Sequence, residues 1–200
     1  MTSTVRPLRA DATRNRELLL AAAEKEFAEH GAAASVADIA RRAGVAKGTV
    51  FRHFATKEDL IASIVAEHLA ALTAAARQLA DSTDPGTALL EFLTVAADHR
   101  QQHDLTFLQS VSEGDTRVTD VRDQLVASLG VLVDQAREQG AIRSDITTTD
   151  VFLLMCAPVH VVENLSNPPA GLWRRYLAII FDGLRPEGAN ALPEPAPSFP

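Results

Sequence analysis

Residues 35–60 constrain the fold of this 200-residue chain more than any other segment. They read as two short helices joined by a tight turn at Gly44, followed at once by the start of a long helix. Ser35 and Asp38 have the spacing of a capping box, which marks the start of a helix, and Thr56 and Thr147 begin the same pattern with an Asp three residues on. Gly44 can adopt the positive φ that a sharp reversal requires. The pattern predicts a rigid helix-turn-helix with a small basic helix on its outer side.

The small helix, about Ala46 to His53, has an apolar and a polar face. Val50 and Phe54 are spaced to pack inward. Four side chains remain outside: Lys47, Thr49, Arg52 and His53. They could be solvated charges, but the flanking pattern favours contact with DNA, in which Lys47 and Thr49 are best placed to reach base edges. Lys57 starts the next helix, where its charge and the helix dipole would hold a phosphate.

These residues resemble the DNA-binding domain of the TetR family of one-component bacterial transcriptional regulators. The resemblance lies in the ranges 14–31, 38–40, 43–45, 47–54 and 57–60. It covers the first third of the chain closely, and the rest agrees in length and helical pattern only. It implies these DNA-binding residues: Ser35, Lys47, Gly48, Thr49, Phe51, Arg52, His53 and Lys57.

Three positions depart from the family pattern. Phe51 stands where Tyr is usual, so its ring can pack but cannot donate a hydrogen bond to a phosphate. Ala46 stands where Ser or Thr is common, so the recognition helix lacks a side-chain N-cap, which costs roughly 1 kcal/mol. Ala55 stands where Pro is frequent, which changes only the stiffness of the turn.

The charge of the chain is unevenly distributed. The net charge of −7 argues at first against a nucleic-acid partner. Residues 1–57, however, carry ten Lys and Arg against six Asp and Glu, and residues 58–200 carry nine against twenty. A basic first part (+4) and an acidic remainder (−11) are expected when only one end meets phosphate.

Several features indicate a cytoplasmic protein. The single cysteine, Cys156, allows no internal disulfide and fits a reducing compartment. The first residues lack an apolar stretch, so no secretion signal is expected. The longest apolar run, 151–162, is too short to span a bilayer and contains Pro158 and His160.

The remainder of the chain reads as helical, which makes the fold all-α with nine to ten helices. We expect a DNA-binding domain over 12–56, a helical effector-binding and dimerisation domain over 57–185, and flexible tails at 1–11 and 186–200. A helix from Thr147 to about Asn164 should be kinked by Pro158. Asn167 and the two prolines that follow should open a last helix ending near Leu184.

By the same resemblance, the last two long helices pair with those of a second subunit, and the middle helices enclose a small-molecule cavity. The candidate effector contacts are Phe92, Val95, His99, His103, Phe107, Leu125, Met155 and Cys156. His99 and His103 lie four apart and could hold a metal, but the general base of a metalloprotease helix is missing between them. A polar patch in the cavity or on the surface is the more ordinary interpretation of this pair, so no metal and no cofactor is expected.

The sequence therefore predicts a homodimeric, sequence-specific regulator, a repressor released from a palindromic operator by a small-molecule effector. Two alternatives stay open. One is a constitutive dimeric DNA-binding protein without a ligand. The other is an enzyme on the same fold, but no nucleophile–base pair, phosphate loop or catalytic carboxylate pair can be located in the chain.

Overall fold

The computed structural model describes the backbone of residues 5–103, 106–112, 114–163, 165–187 and 189–197. Side chains are described in the same ranges, apart from those of residues 5–12, 106 and 107. Within these ranges the chain forms ten α-helices, a short 3-10 helix at Gly31–Ala33 and no strand. The helices are α1 (Val5–His30), α2 (Val36–Arg42), α3 (Lys47–His53), α4 (Lys57–Leu79), α5 (Pro85–Gln102), α6 (Thr106–Val111), α7 (Thr116–Glu138), α8 (Thr148–Leu154), α9 (Ala157–Glu163) and α10 (Trp173–Leu184).

The chain divides into two compact units. The first contains residues 1–68 and 104–119, and the second contains residues 69–103 and 120–200. The first unit thus contains the helix-turn-helix together with the first half of α4 and the segment around α6. Helix α4 contributes residues to both units.

The first helix begins earlier than expected. It starts at Val5 rather than near Ala12, so most of the segment expected to be a flexible tail is helical. Pro7 does not interrupt it, because the N–H groups of the first helical turn have no partner within the helix. The residues that follow Pro7 contain no further helix breaker.

The expected kink at Pro158 is a complete break. Helix α8 ends at Leu154, four residues before the proline, and α9 begins at Ala157. Proline has no N–H to donate to the carbonyl of Leu154, and its ring clashes with that carbonyl. One long helix is thus replaced by two helices of seven residues each.

The last helix begins later than expected, at Trp173. Asn167 and Gly171 both adopt positive φ, +57° and +79°, which no continuous right-handed helix tolerates. The segment between them forms a turn in which the N–H of Leu172 donates to the carbonyl of Pro169. The predicted end of the helix at Leu184 is confirmed.

The predicted capping residues close the helix starts. The N–H of Asp59 donates to Thr56 Oγ1 (3.0 Å), and the N–H of Thr56 donates to the Asp59 carboxylate (3.2 Å). Thr147 at the start of α8 forms the same reciprocal pair of bonds. At α2 the N–H of Asp38 donates to Ser35 Oγ, but the Asp38 carboxylate accepts the Ser35 hydroxyl and Arg41 instead of reaching back to the backbone.

Helix α4 is long and apolar enough to cross a membrane, judged by length and composition alone. Half of its most apolar window is buried inside the protein, as in a core helix. Its polar positions are also used by the fold, since Glu67 pairs with Arg16 and His68 Nε2 lies 2.7 Å from the Glu24 carboxylate. These pairs fasten the first half of α4 to α1.

A buried carboxylate joins α1 to α2. Glu26 is only 4% exposed, its Oε1 accepts the Nε of Arg42 (2.8 Å), and its Oε2 lies 3.0 Å from His30 Nδ1. Arg42 also donates both terminal nitrogens to Glu29, which holds the pKa of the Glu29 carboxyl below its usual value. Arg42 therefore bridges two carboxylates of α1 from the end of α2.

We expect Arg42→Ala to lower the denaturant midpoint by at least about twice as much as Arg41→Ala. The first change removes the guanidinium that pairs with the buried Glu26 carboxylate, whereas Arg41 pairs with Asp38 at the surface. Part of the difference should be lost as the pH falls below about 4.5, the ordinary pKa of Glu29, because a lowered pKa stabilises the fold only while the carboxyl is ionised. Equal midpoints for the two variants at pH 7 would contradict the assigned role.

Candidate nucleic-acid interface

Helix α3 is anchored from one side only. Val50 and Phe54 are buried to 1% and 4% exposure, and they fix the helix to the first unit. Ala46 provides no side-chain cap, as expected, so the helix start is closed only by the bond from Thr49 N–H to the Ala46 carbonyl (2.8 Å). Packing rather than local capping therefore holds α3 in place.

The outer face of α3 carries no acidic residue. Four residues of α3 are exposed: Lys47, Gly48, Phe51 and Arg52. Thr49 and His53 are half-buried, and the His53 ring lies beside that of Phe54 at a centroid distance of 6.3 Å. A Cβ added to Gly48 would meet no atom within 4 Å, so the backbone of α3 is open to an approaching molecule there. This is the surface that the sequence predicts for DNA.

Lys57 is tied to its own unit. Its ammonium donates to the carbonyl of Ala32 (2.9 Å) and lies 5.4 Å from the centre of the Phe27 ring. The lysine thus links the start of α4 to the end of α1. The remaining ammonium hydrogens can still reach a phosphate, so its predicted phosphate contact stands as a prediction beside this structural role.

Ser35 is exposed at the start of α2, where it both accepts the Asp38 N–H and donates its hydroxyl to the Asp38 carboxylate. The second bond lowers the pKa of the Asp38 carboxyl. The Ser35 Oγ retains acceptor capacity, but its hydrogen is directed at Asp38. Its predicted DNA contact is not tested by these bonds.

Asp59 has a second partner that sequence reasoning missed. One of its carboxylate oxygens caps α4, and the other accepts Arg117 Nη2 (2.9 Å) from the first turn of α7. Arg117 is held in place by two bonds to Asp115 (2.7 and 3.1 Å), which raise the pKa of the guanidinium and lower that of the Asp115 carboxyl. No local pattern signals a pair separated by 58 residues.

The predicted effector residues are dispersed over several environments. Phe92 and Leu125 are fully buried, Met155 is buried and Cys156 is partly buried, which raises the pKa of its thiol. Val95 is exposed on α5. The structure brings together His99 and His103, whose ring centres are 4.9 Å apart. The side chain of Phe107 lies outside the described residues.

Two open grooves of about 350 and 290 Å³ lie along α5 and α10 in the second unit, and they share Leu90, Phe181 and Arg185. Neither is lined by a predicted effector residue. In the part of the chain that the structure describes, two buried donors of this unit lack an acceptor: Arg122 Nε and Trp173 Nε1. The sequence did not predict these two unpaired N–H groups, because burial without an acceptor depends on what surrounds the atom in the folded protein.

Comparisons with known proteins agree with this geometry. Residues 19–64 match the family described as "Bacterial regulatory proteins, tetR family", and residues 84–186 match "Transcriptional regulator SbtR-like, C-terminal domain". The second match alone covers half of the chain. The chain belongs to the TetR family.

Relatives and solved structures support the assignment over nearly the whole length. The transcriptional repressor KstR2 of Mycobacterium tuberculosis is 29% identical over 88% of this chain and 95% of its own length. The crystal structure of a TetR transcription regulatory protein from Mycobacterium vanbaalenii is 30% identical, with a TM-score of 0.64, and covers 90% of this chain and 99% of that one. FadR of Bacillus subtilis, solved in complex with stearoyl-CoA, shares the fold at 16% identity and a TM-score of 0.66. The match covers 84% of this chain and 99% of the FadR chain.

The matched families and relatives are transcriptional regulators and not enzymes. The chain is accordingly a DNA-binding transcriptional regulator, and the enzyme alternative is set aside.

Gly48 offers a test that separates DNA contact from folding. We expect Gly48→Ala to raise the free energy of unfolding by up to about 1 kcal/mol, because Ala is the better helix former and no atom lies within 4 Å of the new Cβ. DNA affinity should nevertheless fall, since the methyl group would hold the helix away from the bases. Gly130→Ala in α7, where the added Cβ makes ordinary contacts at 3.5 and 3.9 Å, is the matched control. If the Gly48→Ala variant bound DNA with unchanged affinity, Gly48 would not be part of the interface.

Proposed function

We propose that this chain is a homodimeric repressor, which places one α3 helix in the major groove of each half of a palindromic operator and leaves the DNA when an effector binds. The observation that carries the proposal is the exposed face of α3, which is free of acidic residues and lies in a first part of the chain with a net charge of +4. The acidic remainder keeps the rest of the molecule away from the phosphates. Operator binding places the protein in the cytoplasm.

The contacts divide by chemistry. Lys47 and Thr49 reach base edges, and Gly48 lets the backbone approach them. Arg52 and His53 hold phosphates, together with Ser35 and with Lys57 at the start of α4. The Phe51 ring packs against the DNA without donating a hydrogen bond. A helix of seven residues reads few bases, so two copies related by a two-fold axis are needed for specificity.

The last helices supply the dimer surface. Large apolar side chains are exposed on three consecutive elements: Leu153 on α8 (59%), Val161 on α9 (49%), Leu165 just after it (47%) and Ile179 on α10 (54%). Helices α9 and α10 pack against each other, so Val161 and Ile179 belong to the same two-helix layer. Pairing of this layer with its copy in a second subunit would remove this apolar surface from water.

The second unit is the place for the effector. Its buried residues include Phe92, Leu125 and Met155. His99 and His103 of the same unit would supply polar contacts, and Val95, Phe107 and Cys156 complete the proposed set. Arg122 Nε and Trp173 Nε1 add two buried donors that lack an acceptor among the described residues. An apolar molecule that carries a carbonyl or carboxylate would satisfy them. A protein of the same fold, FadR, was solved with stearoyl-CoA, which has this chemistry.

Release requires a path from effector to α3, and α4 provides it. The start of α4 follows α3 after three residues, and its capping carboxylate, Asp59, is bonded to Arg117 of α7. An effector that prefers a different position of α7 would pull on Asp59 through Arg117. The start of α4 would then move, and the two recognition helices would leave the spacing of successive grooves.

The function is tested by selecting bound fragments from genomic DNA and by titrating the selected duplex. We expect a palindrome bound by two chains, with an affinity that falls steeply with salt. Trp173 is the single tryptophan and is fully buried, so its fluorescence reports effectors directly. Acyl-chain ligands with a polar head should shift its emission and release the duplex. Retention of DNA by every ligand that shifts the emission would favour the constitutive alternative.

The coupling step is tested by Arg117→Ala. The variant should bind the operator within about twofold of the parent, yet need at least about fivefold more effector for half-release, since allosteric coupling is typically 5- to 150-fold. Arg143→Ala is the matched control, because Arg143 bonds Asp145 two residues away in the same manner, within the second unit. Identical half-release concentrations for Arg117→Ala and Arg143→Ala would exclude Arg117 from the coupling.

A further inference from the structure

An apolar ring lies on the recognition helix where the fold does not use it. Phe51 is 45% exposed, and the other phenylalanine, tyrosine and tryptophan side chains that the structure describes are buried or half-buried. The anchoring of α3 is done by its neighbours Val50 and Phe54, both buried. Phe51 therefore contributes little to the stability of the first unit, and its ring remains available to another molecule.

The surroundings of the ring indicate the chemistry of that molecule. Lys47, one helical turn earlier, places its ammonium 5.8 Å from the ring centre. Gly48 lies three residues before Phe51 on the same face, and it has no side chain to cover the ring. The patch is thus an apolar disc beside one positive charge, with open space on the side of Gly48.

Phenylalanine has no hydrogen-bonding atom, so Phe51 cannot bind a phosphate or a polar base edge through a hydrogen bond. In the major groove the apolar group that a phenyl ring can contact is the 5-methyl group of thymine. We propose that Phe51 reads a thymine 5-methyl group in each operator half-site. This inference rests on the proposed function, and it assigns to Phe51 a role in specificity.

The size of the effect follows from the burial of one methyl group. Burial of a single methyl-sized group corresponds to about fourfold in an equilibrium constant, so two half-sites give about 15-fold. The effect should be confined to one thymine position per half-site, because each copy of α3 presents one exposed phenyl ring.

The experiment removes the methyl group from the DNA and the ring from the protein. Each thymine of the selected operator is replaced in turn, symmetrically in both half-sites, by deoxyuridine, which lacks only the 5-methyl group. Binding is measured with the parent protein, Phe51→Ala and Phe51→Leu. Val111→Ala removes another exposed apolar side chain from the first unit and is the control.

We expect one position at which deoxyuridine weakens parent binding by about 15-fold and Phe51→Ala binding by less than about twofold. Phe51→Leu should retain part of the dependence, and Val111→Ala should retain all of it. The inference is overturned if the loss at every thymine is the same for the parent protein and for Phe51→Ala, or if Phe51→Ala weakens all duplexes uniformly. Failure of the parent to select any duplex would instead overturn the proposed function, so the two failures are distinguishable.

Discussion

A helix of seven residues is not stable by itself in water, and the whole first unit is arranged to hold one such helix in place. Nucleation of a helix is unfavourable, and isolated helices shorter than about 12 residues are marginal. Helix α3 also lacks a side-chain cap at Ala46. Its position depends on the burial of Val50 and Phe54 in a core formed with α1 and α2. The side chains on the outer face of α3 are therefore free to contact DNA, and they include the Phe51 ring, which the fold does not need.

The same constraint explains where the ion pairs lie. Arg42 fastens α2 to two carboxylates of α1, so α2, the helix that packs against α3, is itself held in position by α1. Lys57 bonds the Ala32 carbonyl, and Arg117 bonds Asp59, so the start of α4 is held from two directions. The packed scaffold gives α3 a defined position. The few polar contacts at the start of α4 are the ones that an effector would have to break in order to move this helix. Rigidity and responsiveness thus use different parts of the unit.

Local signals predicted a large part of the fold and of the candidate site. The capping threonines Thr56 and Thr147 marked helix starts correctly, because a capping box is formed by residues three apart. The exposed and buried faces of α3 followed from helical spacing. The errors came where the backbone had a choice: Pro158 ended a helix instead of bending it, and Asn167 opened a turn instead of a helix. The proline pattern restricts the backbone, but the surrounding packing selects among the conformations that remain.

The sequence by itself determined the fold class, the recognition helix and the side of it that faces outward, since these depend on residues within a few turns of one another. Only the tertiary structure showed that Glu26 is buried under Arg42, that Asp59 is shared with Arg117, and that the donors of Arg122 and Trp173 are buried without an acceptor. These relations join residues 16 to 58 positions apart or depend on what surrounds an atom. No local pattern encodes them, because the distance between two side chains in space is set by the packing of all the helices between them.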